Sequence, residues 1–252
     1  MPKYFVDKAS IVRQIWGSAD TVLFIFAGAA AEFALNKAVD WLYFTGRLPA
    51  DPLGRLFSTV VYARQIIFSE EEKALAAIDQ ITAIHTAVEN KRDSKIPDWA
   101  YRDVLFLLID YSIRSFEILE RKLSADELFE VFDVFNRVGL RMGLKELPST
   151  FAAWEQARSK HLEEDLVHSE FTIDLYRQYQ KHLGKIRFAI LKQVQANLSP
   201  NKVSVLLSLK KRSWLGLLLK AYKLSRFIKM DKILKGALLP NAYKAQIKGL
   251  DQ

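Results

Sequence analysis

The sequence predicts an all-α fold: one multi-helix domain over residues 1–200, followed by a basic amphipathic C-terminal extension over residues 201–252. Three observations carry this expectation. Apolar residues recur at helical spacing, and no stretch shows the strict alternation of a half-buried strand. Serine or aspartate stands at the start of many periodic segments, where helices need a side-chain cap. Half of the 252 residues are hydrophobic and 12% are aromatic, with 10 glycines and 7 prolines, which suits a large packed core.

The elements follow in chain order. A first helix is expected near 8–16 and a second over 20–45. The second contains an apolar run at 21–31, which is shorter than the roughly 17–25 residues that span a bilayer. It therefore reads as a buried helix. Asp51 before Pro52 supplies a cap and a proline at the first helical position, opening a helix over 52–68. Ser69 with Glu72, and Ser124 with Glu127, have the spacing of capping boxes for helices over 70–90 and 125–142. Asp98 after Pro97 opens 98–122. Helices over 150–166, 170–183, 185–198, 202–211 and 213–235 complete the chain, and Gly46, Gly143 and Gly184 stand where segments close.

Charge is unevenly placed. The net charge of +8 comes from 37 basic and 29 acidic residues, yet residues 201–252 hold 12 Lys or Arg against only Asp231 and Asp251. The remaining body is nearly neutral, which argues against nucleic acid as its ligand. Over 202–235, lysines alternate with leucines, Trp214 and Phe227 at helical spacing. Such a helix suits an anionic membrane surface, or lies on the body with its lysine stems over apolar surface. The absence of cysteine excludes a disulfide framework, a thiolate-bound metal and a thiol nucleophile, and fits a cytoplasmic setting. The start of the chain does not read as a removable targeting peptide, since Gly17, Ser18 and Asp20 separate Lys3, Lys8 and Arg13 from the apolar run.

No Gly-rich nucleotide loop, paired-His zinc helix or serine elbow occurs. With four histidines, any imidazole site is a short list. His85 shares a helical face with Ala74, Ile78, Ile81 and Val88, a setting for an axial ligand in an apolar pocket or for a core histidine bonded to a carbonyl. Arg55, Thr59, Tyr62 and Ile66 share a face of the preceding helix, where the Arg and hydroxyl suit a carboxylate or an ordinary solvent face. His161, Asp165 and His168 fall on one expected helix face, a candidate divalent-metal set that reads more simply as a solvated charged face. Phe24, Phe26, Trp41, Tyr43 and Phe44 line either a pocket or the plain core.

Asp51, Pro52, Gly54, Arg55 and Thr59, then Tyr62, Phe68, Ala74 and His85, together resemble the core motif of the rubber-oxygenase and mycophenolic-acid oxygenase family. Gly139 to Leu144 and the turn at Leu147 and Pro148 are similar to its second landmark, so the likeness spans residues 15–200. The resemblance implies a globin-like helical domain that binds haem b and uses O₂ on a small hydrophobic, isoprenoid-type substrate. It implies His85 as the iron ligand, Arg55 and Thr59 as catalytic and haem-binding residues, and Tyr62 in the cofactor pocket. Three features depart from the family: Ser58 stands where rubber-cleaving members carry a lysine, Glu89 follows the histidine where a glycine is common, and neither Glu32 nor Asp40 matches the spacing of the carboxylate expected upstream of the arginine. Two alternatives stay open: a haem-binding protein without turnover, and a cofactor-free helical protein that docks through residues 202–235.

Overall fold

In the computed structural model, residues 2–46, 50–211 and 216 are described. The periodic segments become ten helices among the described residues: α1 (Ile11–Gly17), α2 (Ala19–Phe33), α3 (Asp40–Phe44), α4 (Pro52–Phe68), α5 (Glu71–Arg92), α6 (Asp98–Leu119), α7 (Ala125–Arg141), α8 (Phe151–Glu164), α9 (Glu170–Leu198) and α10 (Asn201–Leu206). Among the described residues there is no strand, only isolated bridges between Tyr4 and Glu70 and between Asn36 and Leu166.

Helices α2 and α6 form the central pair. Gly28 permits their approach, because a Cβ built there would lie 2.3 Å from the Tyr111 ring of α6. Any side chain at this position has to displace an aromatic ring that is itself fully buried. Trp16 of α1, also fully buried, donates from Nε1 to the Ser112 hydroxyl at 3.1 Å and meets Phe26 edge-on. Helix α7 closes the core from the other side with Val131, Phe132, Val134, Phe135 and Val138.

Local signals set most boundaries. Asp51 accepts from the Gly54 amide at 2.9 Å, with Pro52 at the helix start. Ser124 and Glu127 form a reciprocal capping box. Gly46, Gly143 and Gly184 all have positive φ, and Gly184 kinks α9 where the sequence divides it into two helices.

Three expected elements differ. The helix expected over 20–45 breaks after Phe33, because residues 34–39 bond elsewhere: the Val167 amide donates to the Leu35 carbonyl at 2.7 Å and the Lys37 amide to the Asp165 carbonyl at 2.9 Å. The Asn36 side chain stabilises the turn by accepting from the Ala38 amide. The Ser69 capping box does not form. Glu70 instead bridges to Tyr4, the Glu71 amide donates to the Lys3 carbonyl, and the Glu70 side chain makes no cap bond. The helix expected over 150–166 ends at Glu164, leaving His168 exposed in the loop before α9.

The described start of the C-terminal extension packs on the body. Val203 of α10 is buried with Ala31, Leu35 and Leu166, and Lys202 pairs with Glu163 at 2.7 Å. The helix expected over 213–235, and with it the membrane-facing reading of 202–235, lies largely outside the described residues. Among the described residues no helix is long and apolar enough to cross a membrane.

Candidate functional site

Two groups of polar side chains stand out from the helical core. The first sits between the start of α4 and the last turns of α5. The α5 stripe is fully buried at Ala74 and Ile78 and becomes half-buried at Ile81, His85 and Val88. His85 therefore sits where the apolar face opens. Its Nδ1 is buried without a hydrogen-bond partner, and its ring meets the Tyr101 ring of α6 edge-on at 5.1 Å. Burial, reinforced by the nearby positive charge of Arg55, lowers its pKa to about 4. The imidazole is accordingly neutral at ordinary pH, the form that coordinates metals.

Arg55, the charge that His85 feels, is positioned by its own helix. Its Nη1 donates to Thr59 Oγ1 at 2.9 Å and to Ser58 Oγ at 3.1 Å, while both hydroxyls donate back to the Arg55 carbonyl. Tyr62 is half-buried further along α4. The structure thus brings Arg55, Thr59 and His85 into one neighbourhood.

Glu89, one turn after His85, is buried and closes the 93–97 loop. It accepts from the Ile96 amide at 3.0 Å, Lys95 at 2.8 Å and the Tyr101 hydroxyl at 3.2 Å. The Tyr101 ring against His85 is therefore held in place by Glu89, a contact the sequence does not announce. Its own hydroxyl is pushed to a higher pKa by burial and by the Glu89 charge. Beyond it, Arg92 lies over the Trp41 ring at 4.1 Å and the Phe44 ring at 5.4 Å and pairs with Asp40 at 2.7 Å. Of the five aromatics considered for a pocket, Phe26 is core, Phe24 is half-buried and Tyr43 turns away to Asp174 and Phe171. Trp41 and Phe44 lie against Arg92, about two turns beyond His85 on α5.

The second group is buried between α2, α6 and α8. Glu32 is fully buried and takes both Arg158 guanidinium nitrogens, the Tyr111 hydroxyl at 3.1 Å and His161 Nε2 at 2.9 Å. Burial alone would raise the Glu32 carboxyl, but Arg158 and His161 hold it at about 2. Being ionised, Glu32 can only accept, so His161 Nε2 carries the proton between them. Arg158 also reaches Asp110 at 2.9 Å, and Asp110 pairs with Arg114 at 2.6 Å.

His161 Nδ1 lies 2.8 Å from Asp103 Oδ1, an ion pair when the ring is protonated, and 3.6 Å from Asp165 Oδ2, beyond hydrogen-bond distance. Asp103 is fixed from behind by Asn36 Nδ2 at 3.0 Å. Despite burial, which would lower it, the carboxylates of Asp103 and Glu32 raise the His161 pKa to about 9. The reading of His161, Asp165 and His168 as one solvated face is thus corrected. His161 is only 3% exposed, Asp165 stays beside it, and His168 is carried away by the end of α8. Arg158, Tyr111 and Asp103 escaped the sequence reading, and Glu32 enters it only as a carboxylate upstream of Arg55 whose spacing does not match the family's.

The all-helical scaffold thus places a neutral histidine, with an arginine beside it, at the open end of an apolar helix face. The comparison with known families is more specific. The chain belongs to the family described as the ER-bound oxygenase mpaB/B' and rubber oxygenase catalytic domain, which matches residues 14–226. No curated protein and no solved structure gave a significant match.

Proposed function

We propose that the protein is a haem b-dependent oxygenase that acts with O₂ on a small hydrophobic substrate of isoprenoid type. Membership of the oxygenase family supports the reaction class. The observation that carries the cofactor is His85: a neutral imidazole with a buried, unpartnered nitrogen, beside a guanidinium, at the open end of an apolar stripe. Leaving such a nitrogen unsatisfied costs about 1–3 kcal/mol, and a bound cofactor would offset that cost. These residues fit a haem, whose iron takes a neutral histidine and whose propionates pair with arginine.

In this reading His85 holds the iron. Arg55 binds a propionate, and Thr59 and Ser58 keep its guanidinium extended toward the cofactor. Tyr62 lines the cofactor pocket, while Trp41 and Phe44 present apolar surface to a substrate. The haem, when bound, supplies the O₂ chemistry. The chain supplies a site from which half-buried apolar groups exclude water, and a fixed positive charge at Arg55. Ser58 brings no amine to the site, so the lysine-dependent distal arrangement of rubber-cleaving relatives is not expected. Docking of residues 202–235 on an anionic membrane would bring the protein to lipidic substrates in the cytoplasm.

The test is the visible spectrum of the full chain produced with haem precursor, beside His85→Ala. A Soret band that shifts on reduction and is lost or altered in the variant supports the proposal. A colourless protein that ignores added haemin sinks it. A coloured protein that consumes no O₂ with any isoprenoid offered is a haem-binding protein without turnover.

A further inference from the structure

The cluster between α2, α6 and α8 carries an inference independent of the haem reading. We propose that Asp103, His161 and Asp165 form a binding site for one divalent first-row transition-metal ion. Their ligand atoms, one imidazole nitrogen and two carboxylate oxygens, all lie within 4.8 Å of one another.

Spacing supports the set. Metal–ligand bonds of about 2.0–2.2 Å put neighbouring ligand atoms about 3.0 Å apart in octahedral geometry and about 3.4 Å apart in tetrahedral geometry. The 2.8 Å and 3.6 Å separations of Nδ1 from Asp103 and Asp165 bracket those edges. Nδ1 belongs to a side chain only 3% exposed, faces the two carboxylates, and has no hydrogen-bond partner. An ion in front of that nitrogen would satisfy it.

The surroundings are those of a metal site. Nε2 donates to Glu32, which fixes the ring with Nδ1 toward the two carboxylates, as in carboxylate–histidine–metal relays; the ion would take the place of the proton on Nδ1. Asn36 orients Asp103 from its other oxygen. Glu32 is in turn locked by Arg158 and Tyr111. Charge agrees as well. Arg158 offsets Glu32, Arg114 offsets Asp110, and the protonated His161 ring offsets Asp103, so the proton on Nδ1 is what a metal ion would replace between Asp103 and Asp165. Lys37, the cation that Asp165 feels after His161, gives its ammonium to the Glu164 carbonyl. A divalent ion neutralises the pair, and any proton on Nδ1 leaves to solvent as it binds. Half-buried Asp165 provides the entrance and leaves room for water on the ion. One nitrogen with two carboxylates suits zinc or manganese.

The site lies on the far side of α6 from His85. Tyr101, which touches His85, and Asp103 are two residues apart on the helix, about 200° around its axis. Sequence spacing offers His161 and Asp165 but supplies His168 as the third ligand; the fold replaces it with Asp103.

The test is calorimetric titration of Zn²⁺ into the full chain after treatment with chelator, with any haem left in place. One Zn²⁺ per chain is expected, together with a rise in melting temperature. Asp165→Asn and Asp103→Asn should weaken binding by at least about tenfold, whereas His85→Ala and His168→Gln should bind like the unsubstituted chain. The half-exposed Asp165→Asn variant is expected to melt normally without metal, so its loss of binding is not a folding defect. Absence of binding in the unsubstituted chain, or undiminished binding in Asp165→Asn, overturns the proposal. Loss in His85→Ala overturns it too, by placing the ion at the other histidine.

Discussion

The two histidine neighbourhoods of this protein are opposites. Around His161, a network of charges interlocks Glu32, Arg158, Asp110, Tyr111 and Asn36 across helices that the chain separates by up to 129 residues, and only the Nδ1 edge toward Asp103 and Asp165 is left for a further ligand. Around His85, the ring has one aromatic neighbour, an unpartnered nitrogen, and an apolar stripe that grows more exposed toward it. The first region holds the helices in register. The second, in the proposed reading, is where the apolar face opens around a neutral imidazole.

This contrast predicts a ranking of effects. Glu32→Ala should be the most damaging, since it leaves the 4%-exposed Arg158 with only Asp110 as a carboxylate partner and removes the acceptor that Tyr111 and His161 share. Removing one partner of a buried ion pair costs about 3–5 kcal/mol, measurable by urea denaturation. Gly28→Ala should follow, at about 1–3 kcal/mol of overpacking, because its new methyl meets the Tyr111 ring.

Acid should act through the same buried region. The folded Glu32 pKa of about 2 lies below the ordinary 4.5, so its contribution is present in full above about pH 4.5 and is lost as pH falls toward 2. Thermal melts across that window should show stability declining with acid, and Glu32→Gln should flatten part of the decline. His85→Ala belongs at the bottom of the stability ranking. It removes a half-buried ring with an unsatisfied nitrogen and should change the melting temperature of the cofactor-free protein little, while it changes cofactor binding most. A His85→Ala protein that unfolds like Glu32→Ala would erase the distinction between the two regions.

How much of this could be read from the sequence follows the same division. The helices, the Asp51–Pro52 start, the Ser124–Glu127 box and the glycine turns are legible because their causes lie within a few residues. The association of Arg55, Thr59 and His85 is legible for a related reason: α4 and α5 are consecutive in the chain and pack together, so each periodic face meets the next. The break at residues 34–39 is not legible, since Asn36 bonds Asp103 and Leu35 bonds Val167, far along the chain. Ser69 and Glu72 have ideal spacing for a cap, but backbone pairing with residues 3 and 4 displaces it. His161 reads as solvated because its neighbours in sequence are charged; packing of α8 against α2 and α6 buries it anyway, with Glu32 as counter-ion 129 residues away.

The central claim, that His85 and not His161 is the cofactor's histidine, is tested most directly by titrating haemin into the chain, into His85→Ala and into Asp165→Asn, and following the Soret band. The account predicts a band of the same position and stoichiometry in the unsubstituted chain and Asp165→Asn, and its loss in His85→Ala. An unchanged band in His85→Ala, or one lost only in Asp165→Asn, would contradict it.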